Sequence, residues 1–219
     1  MQSPYINIHS HRNITPPHIG IRNYDIQNFP INTEFECNFS IGIHPWHIHK
    51  TNTEEALRNI EIFLENPQLK AIGECGLDRS IAVDIELQKS VFTSQVELAN
   101  NNDKLLIVHN VRAFADFLQI MKVKQPNIPI LLHAFSGNND ILNKLLKFNI
   151  FFSFGKDLLD ERSKGYRIIK KIPINRLFLE TDDSEISIEE IYKVASLKLE
   201  ITEERLKNQI YYNYKNLFL

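Results

Sequence analysis

Several features that would have marked this chain as another kind of protein are missing from it. Among 219 residues there are two cysteines, Cys37 and Cys75. Two thiols make neither a disulfide framework nor a metal-type Cys spacing, and both read as small buried residues. No apolar run approaches the roughly 18 residues that cross a membrane, and no basic-then-apolar leader stands at the start, so the cytoplasm is the expected location. Charge of one sign is lacking as well. The formal net charge is −2, so a polyanionic substrate has to be held by a local patch or by bound cations. No Gly-rich phosphate loop follows the first apolar segment, which argues against a doubly wound nucleotide fold. No serine or cysteine nucleophile motif is present. Repeats, low-complexity tracts and linkers are absent too, and residues 1–219 read as a single domain.

What is present is an ordinary core, with 43% hydrophobic and 24% charged residues, cut into short apolar runs that alternate with helical patterns. Strands are expected at Ile6–Ile8, within His18–Asn23, and at Phe39–His44, Leu69–Gly73, Lys104–His109, Ile130–Phe135, Ile150–Phe154 and Arg176–Glu180. A helix is expected to open at a capping box formed by Thr51 and Glu54. Others are expected over about Asp84–Asn100 and Ala113–Val123, through Leu146, up to Ile172, and over about Ser187–Leu199 and Glu203–Leu217. Between residues 12 and 39 lie Pro16, Pro17 and Pro30 and no helical periodicity. Some eight strands, apolar throughout, favour parallel pairing under helices. The expected fold class is a TIM-type (β/α)8 barrel that lacks or shortens its first helix.

In such a fold, functional groups gather at the C-terminal ends of the strands. The polar residues there are His9, His11, His44, Glu74, His109, His133 and Asp182, which include five of the eight histidines. His9 and His11, two apart on a strand, leave on one face and can reach one ion. Imidazole and carboxylate donors suit zinc or manganese, and mixed sets accept magnesium. Four histidines and two carboxylates exceed one tetrahedral shell. A pair of ions roughly 3.5–4 Å apart would use them all, as in sites that hydrolyse phosphoryl centres.

The fragments IHSH (8–11), GIHPW (42–46), AIGECGLD (71–78), ELQKSVFTSQVELA (86–99), LLIVH (105–109), LLHAFSG (131–137) and RLFLETD (176–182) stand in the order and approximate spacing of TatD-type metal-dependent DNases, which the chain resembles over nearly its whole length. The resemblance implies a dinuclear divalent-metal site and hydrolysis of phosphodiesters, typically DNA. Carried over, His9, His11, Glu74 and Asp182 would hold one ion; Glu74, His109 and His133 would hold the other, with Glu74 bridging. Asp182 would also orient or deprotonate the attacking water. The chain departs from the family in its short segment after His11, in Asp183-Ser184 where Ala-Pro is common, and in Arg112 displaced by one residue.

Blander assignments accompany these. His44 divides evenly between a substrate contact and a packed histidine, and His18, His47 and His49 read as surface residues. Asp78 is expected to brace the loop after Glu74. Arg162, Lys164, Arg167, Lys170 and Lys171 read as a solvated helix face. Trp46 and Tyr166 either stack on bases or pack, and Tyr211–Tyr214 reads as a docking face. Two other functions compete: an amidohydrolase-like hydrolase of C–N or ester bonds, and a degenerate barrel without catalysis.

Overall fold

The computed structural model describes residues 3–29, 35 and 37–218. Eight strands, β1 (Ile6–Ser10), β2 (Ile19–Asp25), β3 (Phe39–Gly42), β4 (Leu69–Asp78), β5 (Leu105–Val111), β6 (Ile130–Leu132), β7 (Ile150–Phe154) and β8 (Leu177–Leu179), form one sheet in chain order. Pairing is parallel from β1 to β2, β3 to β4, β4 to β5, β5 to β6 and β7 to β8. A parallel bridge joins Ser10 of β1 to Asp182 just after β8. Among the described residues the α-helices are α1 (Thr53–Glu61), α2 (Ile85–Asn101), α3 (Phe114–Lys124), α4 (Asn139–Leu145), α5 (Lys164–Ile168), α6 (Ile188–Leu199) and α7 (Glu203–Phe218). This is the TIM-type (β/α)8 class. Among the described residues no α-helix intervenes between β1 and β3, only a 3-10 turn at Ile26–Asn28. Pro30 lies outside the described residues.

The chain groups into two compact units, residues 23–132 and residues 1–22 with 133–219. In the first, Ile41, Leu69, Ala71, Ile72 and Leu105–Val108 are buried strand positions, and α2 and α3 contribute buried Val91, Phe92, Val96, Phe117 and Met121. In the second, Ile6, Ile8, Phe152, Phe154 and Leu177–Leu179 are buried, as are Ile191, Tyr192 and Ala195 of α6 and Leu206, Ile210 and Tyr214 of α7. Tyr192 is fully buried yet keeps its hydroxyl satisfied. It accepts the Ile6 N–H at 3.2 Å and donates to the Ile6 carbonyl at 3.1 Å, gripping the start of β1.

Several boundaries differ from the sequence reading, and three of them have a clear local reason. The cap of α1 is Asn52, whose side chain accepts the Glu55 N–H at 3.3 Å. Thr51 instead spends its hydroxyl on the His47 carbonyl at 2.8 Å, and asparagine is at least as good a cap. β4 continues through Glu74 to Asp78. Gly73 and Gly76, at φ 142° and 140°, let it run against β5, where a Cβ on Gly76 would lie 2.0 Å from the His109 carbonyl oxygen. β6 stops at Leu132 because Ala134, at φ 45°, turns the chain out of the sheet.

Candidate metal centre

In the 23–132 unit, His44 follows β3, Glu74 lies within β4 and His109 lies near the end of β5. One donor atom from each lies within 4.8 Å of the others, close enough to surround an ion. His44 Nε2 and His109 Nδ1 both approach Glu74 Oε1, at 3.1 Å each. The second nitrogens of the two rings meet different partners. His109 directs Nε2 at Asp78 Oδ2, 3.1 Å away. With its proton held there, Nδ1 keeps a lone pair toward Glu74, the carboxylate–histidine arrangement that orients metal ligands. His44 caps the 3-10 turn Pro45–Lys50, its Nδ1 accepting the Trp46 N–H at 3.2 Å. That bond assigns the ring proton to Nε2, so His44 faces Glu74 as a hydrogen-bond donor.

Asp78 is 1% exposed and anchors this arrangement. Besides His109 it receives the Trp46 indole N–H at 2.7 Å and both the N–H and the hydroxyl of Ser80. Burial pushes its carboxyl up, but the hydrogen bonds from Ser80, Trp46 and His109 outweigh that and hold it lowered to about 2. Helix α2 fixes the main chain beneath the cluster. Gln88 accepts the Asp78 N–H at 2.7 Å and donates to the Asp78 carbonyl at 3.0 Å. Two turns on, Gln95 does the same for Ile43, at 2.7 and 3.1 Å, directly before His44. Asn23 Oδ1 takes the Glu74 N–H at 2.6 Å and the Ser40 hydroxyl at 3.0 Å.

In the other unit, β1 presents buried His9 and exposed His11 to the residue that follows β8. His9 Nε2 and His11 Nε2 lie 3.5 and 3.4 Å from Asp182 Oδ1. The backbone makes this meeting obligatory: Asp182 N–H donates to the His9 carbonyl at 3.1 Å, and His11 N–H to the Asp182 carbonyl at 3.0 Å. Asn7 and Thr181 lock it from behind. The Asn7 amide donates to Thr181 Oγ1 at 2.8 Å, and its Oδ1 accepts the Thr181 N–H at 3.0 Å. Burial pushes the Asp182 carboxyl up, but His11 and His9 hold it well below the usual carboxylate range. His133 lies with this group, its ring centroid 4.7 Å from that of His9 and its Nδ1 3.5 Å from Glu180 Oε1. Glu180, fully buried, also accepts the Ala134 N–H at 2.7 Å and the Ser153 hydroxyl.

Six of the seven nominated residues stand near or just past strand ends, while Glu74 lies within β4; His9, His11, His133 and Asp182 fall in one unit and His44, Glu74 and His109 in the other. The donor chemistry of both clusters, imidazole nitrogens converging on one carboxylate oxygen, fits a divalent ion of the zinc or manganese kind. Sequence reading gave Asp78 only a bracing role and assigned none to Glu180. The signal that marks Glu180 is an acidic residue closing an otherwise apolar strand run, which has to be buried and paired. The departure at Asp183 is taken up by an ion pair with Lys156 at 2.8 Å. On the basic run, Lys170 pairs with Glu200 and Arg162 with Asp160 at the surface.

Fold and donor sets together define a TIM-type protein with histidine–carboxylate clusters at the strand ends. Residues 30–219 match the model of the TatD related DNase family, and the chain belongs to that family. It is 32% identical over 152 residues to the 3'-5' ssDNA/RNA exonuclease TatD of Edwardsiella piscicida, a match over 67% of this chain and 57% of that protein. It is also 32% identical over 146 residues to the uncharacterized metal-dependent hydrolase YabD of Bacillus subtilis, over 65% of this chain and 57% of that one. The chain therefore spans somewhat over half the length of these curated relatives. The crystal structure of YjjV, a TatD homologue from Escherichia coli K12, superposes with a TM-score of 0.85 at 20% identity, over 98% of this chain and 97% of that one. Among the described residues no helix is long and apolar enough to cross a membrane.

Proposed function

We propose that residues 1–219 act as one domain and hydrolyse phosphodiester bonds of DNA or RNA with two divalent ions. His9, His11, Glu74 and Asp182 would hold one ion, and Glu74, His109 and His133 the other. The observation that carries this reading is that the His9 and His11 rings converge on one oxygen of Asp182, while the His109 nitrogen facing Glu74 is prepared from behind by Asp78. Bound ions supply Lewis-acid polarisation of the phosphoryl group and a nucleophilic water near neutral pH. The remaining work falls to side chains. Asp182, held ionised, accepts the hydrogen bond that orients the attacking water. Water oxygen bonds to phosphorus as the bond to the leaving sugar oxygen breaks; the proton that the water gives up passes to Asp182 and on to solvent, and the sugar oxygen takes one up from solvent. Nucleic acid as the substrate rests on the relatives named 3'-5' nucleases. The cytoplasm goes with two cysteines in no disulfide framework.

The test pairs metal analysis with a panel of single-stranded DNA, RNA, a nitrophenyl phosphodiester and amide substrates, given magnesium, manganese or zinc. About two ions per chain and hydrolysis of the phosphodiesters are expected. Glu74→Ala and Asp182→Ala should each lose metal and at least a hundredfold in rate, the scale of losing a group that acts in the transition state, while keeping a cooperative thermal transition. Hydrolysis of amides alone would transfer the chain to amidohydrolase-like chemistry. A metal-free, inactive protein would leave the non-catalytic reading.

A further inference from the structure

Trp46 is the only tryptophan in the chain. It follows Pro45 at the end of the run from β3, beside the cluster of His44, Glu74 and His109. A side chain of this size and apolarity is ordinarily well buried, yet Trp46 is 52% exposed. Nor is it loosely held. Its indole N–H is fixed to Asp78 at 2.7 Å, and Asp78 is itself buried and bonded to His109. Its backbone N–H is bonded to the His44 ring. Both imidazoles stand perpendicular to it, His44 with its centroid at 5.1 Å and 89° and His109 at 5.9 Å and 79°, so neither stacks on the indole. Tyr166 makes the contrast: Lys198 sits 3.8 Å over its ring centroid, and that face is taken.

The geometry points to Trp46 as the platform on which a base of a single-stranded nucleic acid stacks, next to the phosphodiester to be cut. This rests on the phosphodiesterase reading above and extends it to what the site grips. A π face that is already immobilised gives stacking energy with little further ordering cost, and every base can use it, whatever the sequence. Duplex DNA keeps its bases stacked on one another, so the same feature selects unpaired ends over paired ones.

The lone indole is its own reporter. The metal-loaded protein would be titrated with a phosphorothioate-linked deoxythymidine decamer, which resists hydrolysis, and with an abasic decamer of equal length. Tryptophan fluorescence should be quenched by the first and little changed by the second. In hydrolysis assays with the natural decamer, Trp46→Ala should raise KM roughly 5- to 150-fold, the range that 1–3 kcal/mol of stacking gives, with kcat changed far less. Trp46→Phe, which keeps a ring but loses the N–H to Asp78, should recover most of that loss. Equal quenching by the abasic decamer overturns the proposal, as does equal damage in the two variants, which would mean that Trp46 acts only by holding Asp78. If the wild-type chain hydrolyses no phosphodiester, the phosphodiesterase reading falls. If it hydrolyses them with silent fluorescence and an unaffected Trp46→Ala, only the platform falls.

Discussion

His44 and His109 meet the same oxygen of Glu74 at the same distance, and what separates them is the second nitrogen of each ring. His109 has its Nε2 against Asp78, a partner that would hold the ring proton and turn the Nδ1 lone pair to an ion, whereas the Trp46 N–H occupies Nδ1 of His44 and leaves that ring a donor. The two should therefore respond differently to substitution. Asp78→Ala releases the His109 ring and should weaken metal binding roughly 10- to 100-fold, the usual cost of losing such a partner. His44→Gln, which keeps a donor toward Glu74, should leave metal content within a few-fold of wild type. Competition titration with a chromophoric chelator reads both, and the assignment fails if His44→Gln loses metal as severely as Asp78→Ala.

At the level of elements, α2 does more than cover β4. Its Gln88 and Gln95 lie seven residues apart on one helix face, 1% and 0% exposed, and each satisfies a main-chain N–H and C=O at a strand end. Replacing Gln95 by Leu keeps the volume but leaves the Ile43 N–H and carbonyl buried without those bonds. A loss of about 2–6 kcal/mol is expected, since each of the two abandoned buried groups costs about 1–3 kcal/mol. Urea denaturation measures it, and a change under 0.5 kcal/mol, the level of an indifferent surface substitution, would show that the clamp is dispensable.

These glutamines also mark where sequence reading runs out. The apolar positions of α2 placed the helix correctly, because periodicity reports which face is buried. A buried glutamine within that face looks like any polar interruption until its main-chain partner, 10 or 52 residues away, is known. The same holds at β4. Leu69–Gly73 announces a strand, but its continuation to Asp78 depends on two glycines passing against β5, a tertiary fact. The nominated site residues were legible because strand ends can be found from apolar runs and the histidines lie on them. The proton state of His44 was not legible, since it is set by one backbone N–H in a turn.

For the whole molecule, acid should be the first stress to tell. Among the groups away from the clusters, Asp116 is nearly buried and lies 2.7 and 2.9 Å from two Arg79 nitrogens, with Lys89 at 3.2 Å. The Arg79 hydrogen bonds lower its pKa, burial opposes them, and Lys89 adds to the lowering. A carboxylate with a depressed folded-state pKa contributes stability above its unfolded value of about 3.9, and that stability is lost as pH falls through the folded value. Asp116→Asn should therefore melt below wild type at pH 7, and the gap between the two should narrow as pH falls below about 4. A gap that stays constant from pH 7 to pH 3 would contradict this account.

The tie between Asn7 and Thr181 has a consequence for the order in which the protein is made. Residues 1–22 leave the ribosome well before residues 133–219, the segment they belong with. His9 and His11 must wait about 170 residues for Asp182, and a nascent chain stalled before residue 182 carries two histidines without the carboxylate they converge on. The two segments meet only after Asp182 has been made, so a chain stopped short of it is unarmed.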